Sequence, residues 1–309
     1  MPKASRNGGL VVAGLGFGIA AGTALGALVV GPNLNGGDAG EGGLREEHRR
    51  VLQSTQILEA QSKTGDSVIS DLSGDLVQGT LDARPVMIIA APDAVESDIK
   101  AVKSLLEQTG AVNAGTINLD QRFFHQDGAE ELKSLVANTL PAGAQLSTQD
   151  LASGTHAGNA LGAALLLDPA TAEPLASVEE RADMLQALRD SGFIDYESGT
   201  ILPAQAIIVV SGRGGDEFFT DNLLRFVEAM DAAGGNTVYA ARIEQASEGG
   251  IIDSLRAKTS EISTVDSLGN AWARLAAVLA TEEQLNGGSG AYGAASSAEA
   301  AAPTLPDRG

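Results

Sequence analysis

The sequence predicts an α/β protein. It reads as a single N-terminal transmembrane helix, a juxtamembrane helix with coiled-coil spacing, and an extracytoplasmic, mainly parallel α/β sandwich. Three observations carry this expectation. Residues 8–31 are 24 positions without a charged side chain. A polar, helix-favouring run follows a Gly-rich break. Beyond residue 84, short apolar runs rich in Val and Ile alternate with segments of helical periodicity. Near-continuous apolar strands of that kind belong to parallel sheets covered on both faces.

Composition removes several function classes. The 309 residues carry 20 Lys and Arg against 40 Asp and Glu, a net charge of −20. A non-specific nucleic-acid binder needs the opposite sign to displace counterions from phosphate. Adhesion of the bulk chain to anionic lipid is disfavoured for the same reason. Hydrophobic residues make up 43%, enough for a core and too many for global disorder. The chain has no cysteine, so disulfides, thiolate zinc sites, iron–sulfur clusters and Cys nucleophiles are excluded.

The elements follow in order. Residues 1–7, with Lys3 and Arg6, read as a cytoplasmic tail by the positive-inside rule. Residues 8–31 are long enough to cross about 30 Å of hydrocarbon, and Pro32 and Asn33 suit a helix stop. A cleaved signal peptide is the competing reading, but its apolar region runs to about 7–15 residues. A retained anchor is therefore expected, with the bulk of the chain outside the plasma membrane. Gly14, Gly18, Gly22 and Gly26 recur at every fourth position. Such a stripe lets helix backbones approach closely in lipid, and marks a helix-pairing face for a homodimer or a partner helix.

Residues 32–43 read as a hinge, and 44–80 as a helical stalk. Leu44, Val51, Leu58 and Leu72 share a seven-residue spacing, with Gly65 at the intermediate slot. The companion positions His48, Thr55 and Ser62 are polar, so the seam is narrow. It fits a dimeric stalk or one amphipathic helix lying on the domain behind it. Residues 81–286 form the α/β domain. Expected strands are 86–92, 111–119, 206–212, 236–243 and 262–269. Helical spacing marks Ile99 to Leu106, Leu132 to Val136, Ala157 to Leu167, Val178 to Leu188, Phe219 to Met230, 251–258 and Trp272 to Leu279. Two βαβ halves, 84–140 and 200–285, thus flank a helical insert. Residues 287–309, rich in Gly, Ala and Pro, read by composition as a loose tail.

Candidate chemistry is sparse. Gly214, Gly215, Asp216, Glu217 and Phe218 spell the diguanylate cyclase signature. They fall between a strand and a helix, whereas that motif needs a hairpin, and its upstream acidic metal motif is absent. The same Gly-rich turn is a candidate phosphate cradle at a helix N-terminus. It lacks the dinucleotide spacing and a Walker-type Lys, and its two acids would repel an anion. A tight turn whose acids stabilise the helix start is the better reading. His48, His125 and His156 lack metal-ligand spacing, and Met87, Met184 and Met230 sit in core patterns. No nucleophile elbow occurs. No catalytic residue, resident metal or cofactor is expected.

Four blocks together resemble one family. They are LPAGAQLST (140–148), ALRDSGFI (187–194), EISTVDSL (261–268) and LNGGSGAYG (285–293). With the N-terminal span, they are similar to the actinobacterial MctB family of copper transporters, which includes SteB-type septal envelope proteins. The last block extends the ordered chain to about Gly293. The resemblance implies an envelope location and two roles. One is copper transport or efflux. The other is cell division and septal envelope integrity, with a membrane or cytosolic partner of the SteA type and a peptidoglycan hydrolase or its regulator. One membrane helix cannot line a water-filled pore, and a Gly-faced pair packs shut. A β-barrel would need repeated alternating segments of about ten residues. The expectation is therefore a non-enzymatic interaction module in cell division, with copper transport as the alternative and copper ion a partner only then. A small-molecule sensor at the strand-order switch point is a third reading.

Overall fold

The computed structural model describes residues 41–305 except Thr259, with side chains from His48 onward. The span 8–31 and the stripe Gly14, Gly18, Gly22 and Gly26 lie outside the described residues. No helix among the described residues is long and apolar enough to cross a membrane. The chain divides into two units, residues 1–64 and 65–309.

Helix α1 (Glu41–Val77) contributes to both units. It begins inside the segment expected as hinge. The first turn of a helix has no intrahelical N–H partners to lose, so Gly42 and Gly43 weaken it little there. Glu41 also favours the positive end of the helix dipole.

The second unit is a seven-stranded sheet, among the described residues, with helices on both faces. The strands are β1 (Pro85–Ala90), β2 (Val112–Leu119), β3 (Ile194–Tyr196), β4 (Ala206–Val210), β5 (Thr237–Ala240), β6 (Ser263–Val265) and β7 (Ala291–Tyr292). Their order is β3-β2-β1-β4-β5-β6-β7. Every neighbouring pair is parallel except β2 and β3. The expected parallel α/β architecture is present.

Side-chain alternation divides the core in two. Met87, Ile89, Ile207, Val209 and Tyr239 face one layer. It holds α3 (Gln126–Asn138), α4 (Ser153–Leu165), α5 (Val178–Asp190), α6 (Glu217–Gly234) and α7 (Ile251–Ala257). Val86, Ile88, Ile208, Val210 and Val238 face the other. That layer holds α2 (Glu96–Gln108), α8 (Ala271–Leu285) and the end of α1, where Val77 is buried and Ile69 and Leu76 pack against the cluster.

Helices α4 and α6 meet almost backbone to backbone. Gly154, Gly158 and Gly162 lie on one face of α4 at four-residue spacing. A Cβ at Gly158 would sit 2.6 Å from the Phe226 carbonyl oxygen, and one at Gly162 2.5 Å from Ala233 Cβ. Edge-to-face Phe123, Phe124, Phe193, Phe219 and Phe226 fill the layer beside them.

Two strands escape the sequence reading because they are too short for alternation to register. β3 is three residues inside the helical insert, and it closes the β2 edge in the antiparallel sense. β7 lies in the block read as ordered to about Gly293, and the described chain continues against the sheet to residue 305. Val265 pairs with Tyr292, Glu299 and Ala300 return to Ala291, and Ala302 and Leu305 pack on the second core cluster.

Candidate functional site

In a sheet of this order the ligand crevice lies where neighbouring strands send their chains in opposite directions. Here that point is between β1, which leads to β2, and β4, which leads to β5. Asp93 follows β1, and the loop Ser211–Asp216 follows β4. The Ser211 hydroxyl donates to Asp93 Oδ1 at 2.9 Å. The Gly212 and Gly214 N–H groups donate to Oδ2 at 2.9 and 2.7 Å. Gly214 has φ +98°, which points its N–H inward. The cradle that could hold a phosphate already holds the protein's own carboxylate. Burial, with the Asp93 charge nearby, pushes the adjacent Tyr239 phenol well above its usual range.

The acids of this loop do local work. Asp216 caps α6 by accepting from the Phe219 N–H at 2.8 Å, and Glu217 lies in the first turn. The helix-start reading of residues 214–218 is what the geometry shows.

Beside the loop is a cavity of about 480 Å³, lined by His125, Gln126, Asp216, Glu217, Phe218 and Asp221. Its groups are largely engaged. His125 Nδ1 accepts from the Asp127 N–H at 3.3 Å and caps α3. Asp221 takes the Arg225 Nε at 2.8 Å. Among the described residues no three His, Asp or Glu side chains are arranged to hold a metal ion. His156 Nε2 lies 3.0 Å from the Ser147 carbonyl oxygen, and His48 is exposed on α1. Met87, Met184 and Met230 are fully buried in the apolar cluster, where their thioethers pack as hydrocarbon.

The seam residues divide. Val51, Leu58 and Leu72 are 54%, 51% and 46% exposed. Leu44 lies in the part of α1 whose side chains are outside the described set. The structure adds two buried ionic clusters. The arginines of the first lie 144 and 176 positions from their aspartate, and in the second Arg256 lies ten positions before Asp266, a spacing that matches no helix or strand repeat. Fully buried Asp98 takes Arg242 Nη2 at 2.6 Å and Arg274 Nη2 at 2.9 Å. Fully buried Asp266 takes Arg256 Nη1 at 3.1 Å, the Ser267 hydroxyl at 2.7 Å and the Ala294 N–H at 2.7 Å.

The second cluster explains two of the four blocks quoted above. Asp266 ends the strand of EISTVDSL, and Gly293 ends LNGGSGAYG. A Cβ at Gly293 would collide with the Asp266 carboxylate. Arg256 also donates to the Tyr292 carbonyl at 2.8 Å and the Ser297 hydroxyl at 2.9 Å. ALRDSGFI places Arg189 over the Tyr196 ring at 4.9 Å and buries Phe193. LPAGAQLST is held by Glu180, which accepts from the Ala142 N–H at 2.8 Å. These blocks tie the edges and loops of one domain together.

The molecule is a doubly wound α/β domain led by a long helix, with its switch-point cradle closed from within. A family model described as "Copper transport outer membrane protein, MctB" matches residues 6–303. Proteins named copper transporter MctB from Mycobacterium bovis and Mycobacterium tuberculosis are 33% identical over 256 residues, 79% of this chain and 81% of theirs. The Mycobacterium leprae protein of that name is 33% identical over 238 residues, 72% of this chain and 74% of its own. The chain belongs to the MctB family.

Proposed function

We propose that this chain serves copper transport in the cell envelope as an anchored, non-enzymatic interaction component. The observation that carries the reading is the family match across residues 6–303, with relatives named copper transporters. The open sheet, with separate edges at β3 and β7, supports an accessory role over that of a conduit. The buried thioethers argue the same way. In this reading residues 1–7 are cytoplasmic, 8–31 cross the plasma membrane once, and the α/β domain is outside. Homodimers form through the glycine stripe and the α1 seam.

A second reading is regulation of cell division and septal envelope integrity. It would act with a SteA-type partner and a peptidoglycan hydrolase or its regulator. The exposed seam of α1 favours it. Gene deletion with complementation separates the two. Copper sensitivity with normal morphology is expected under the first. Chained, unseparated daughter cells with normal copper tolerance would replace it with the second. Copper titration of the purified protein, with a zinc control, is expected to give weak, unselective binding. Submicromolar, copper-selective binding would overturn the accessory role and make the chain itself a copper carrier.

A further inference from the structure

At the end of the sheet opposite the Asp93 cradle, a cavity of about 540 Å³ opens where two helices finish. The last turn of α6 and the turn that follows α8 both line it. A helix C-terminus leaves carbonyl groups without intrahelical partners and carries a partial negative charge. Neither last turn contains a base to offset it. Two carboxylates add to the same field. Asp231 lies on the last turn of α6, Glu261 lies just before β6, and both line the cavity. Burial, and then the Glu261 charge, hold the Asp231 carboxyl above its usual range. No Lys, Arg or His is among the described residues that line the cavity. The base closest to Glu261 along the chain, Lys258, is paired with Glu228 at 2.5 Å.

Gln284 gives an observation independent of the acids. It is only 7% exposed and lines the cavity. Its Nε2 donates to the Glu261 carbonyl oxygen at 2.7 Å and the Ser263 hydroxyl oxygen at 2.9 Å. Those bonds fix which end of the amide is oxygen, and Oε1 accepts no hydrogen bond among the described residues. A nearly buried acceptor without a donor is costly, and a cation satisfies it. Behind the acids, fully buried Thr237 turns its hydroxyl to Asp231 and has no other partner.

The lone pairs on offer are therefore on oxygen: two carboxylates, one amide oxygen and helix-terminal carbonyls. Copper prefers thiolate, thioether or imidazole, and none is present among the described lining residues. Calcium takes oxygen ligands, backbone carbonyls and waters included, in loose geometry, whereas magnesium demands a near-ideal octahedron.

We propose that Asp231, Glu261 and Gln284 Oε1 form a binding site for a hard divalent cation, calcium, at the C-terminal ends of α6 and α8. This goes beyond the copper reading and does not depend on it. With two carboxylates the site belongs with weak extracellular modules, at dissociation constants of about 0.1–1 mM.

The test is thermal unfolding of the full-length chain in detergent at pH 7. The protein is stripped with a chelator, then titrated with calcium chloride against sodium chloride at matched ionic strength. At ten times the dissociation constant, bound calcium shifts the folding equilibrium about 11-fold. Asp231→Asn and Glu261→Gln should each remove most of that shift. In chelator, Asp231→Asn should be at least as stable as the parent, because one of two repelling charges is gone. Glu261 is exposed, so its variant serves if Asp231→Asn does not fold. Glu179→Gln, which changes an exposed acid on α5, should keep the full shift. The proposal is overturned by any of three outcomes. These are no shift beyond sodium at about 10 mM calcium, an unchanged shift in Glu261→Gln, or an equal loss of the shift in Glu179→Gln. The last would mean that calcium only screens the net charge of −20.

Discussion

Replacing Asp266 by Ala should unfasten the C-terminal segment from the sheet and destabilise the domain by about 4 kcal/mol. The figure follows from what the carboxylate holds. Every group facing it is a donor: Arg256 Nη1, the Ser267 hydroxyl, and the Ala294 and Ala295 N–H groups. The Arg256 side chain is 6% exposed. Removing one partner of a buried ion pair costs about 3–5 kcal/mol, because the other charge stays behind. Asp266→Asn should cost less, about 2 kcal/mol, because its amide oxygen still accepts while only its amide nitrogen is left facing a donor. Equilibrium unfolding in urea measures both. Hydrogen exchange gives the location, with residues 291–300 losing protection before β1 and β4 do. A loss below about 1 kcal/mol for Asp266→Ala, or unchanged exchange across 291–300, would refute the reasoning. The pair would then be solvated and the C-terminal segment held by something else.

Other expectations follow from the same geometry. Gly158→Ala should cost about 1–3 kcal/mol by wedging α4 away from α6, since its Cβ would lie 2.6 Å from the Phe226 carbonyl oxygen; urea midpoints measure it. Asp93→Ala should cost about 1–3 kcal/mol by stranding the Gly212 and Gly214 N–H groups, with exchange rising first at residues 211–216. Asp231 has its pKa raised from 3.8 by burial and, secondarily, by the Glu261 charge. The native state therefore holds this proton more tightly than the unfolded chain, and stability falls as pH rises through the native pKa. Asp231→Asn should accordingly stabilise the protein at pH 7, the gain vanishing below pH 3.8; a parent that is relatively no more stable in acid would contradict this. Met230→Leu should change stability by less than about 1.5 kcal/mol and leave copper tolerance of a complemented strain unaltered.

Much of the fold is legible without coordinates where the pattern is long. β1 and β4 are five- or six-residue apolar runs that can only be central strands. α2, α3, α6 and α8 repeat apolar residues over three to five turns, so their periodicity is unambiguous. Gly154, Gly158 and Gly162 take on a role only through the contact of α4 with α6.

The sequence by itself determined the α/β class, the acidic surface, the family and the local role of Asp216 and Glu217. Each of these is written in composition, short-range periodicity or contiguous blocks. Only the tertiary structure decided that Asp93 fills the switch-point cradle, that β3 and β7 form the sheet edges, and that Asp98 gathers two distant arginines. Those features depend on which residues meet across more than a hundred positions or along strands of two and three residues. At that range no pattern along the chain distinguishes a buried ion pair from two solvated charges. The difference arises only when folding removes water from between them.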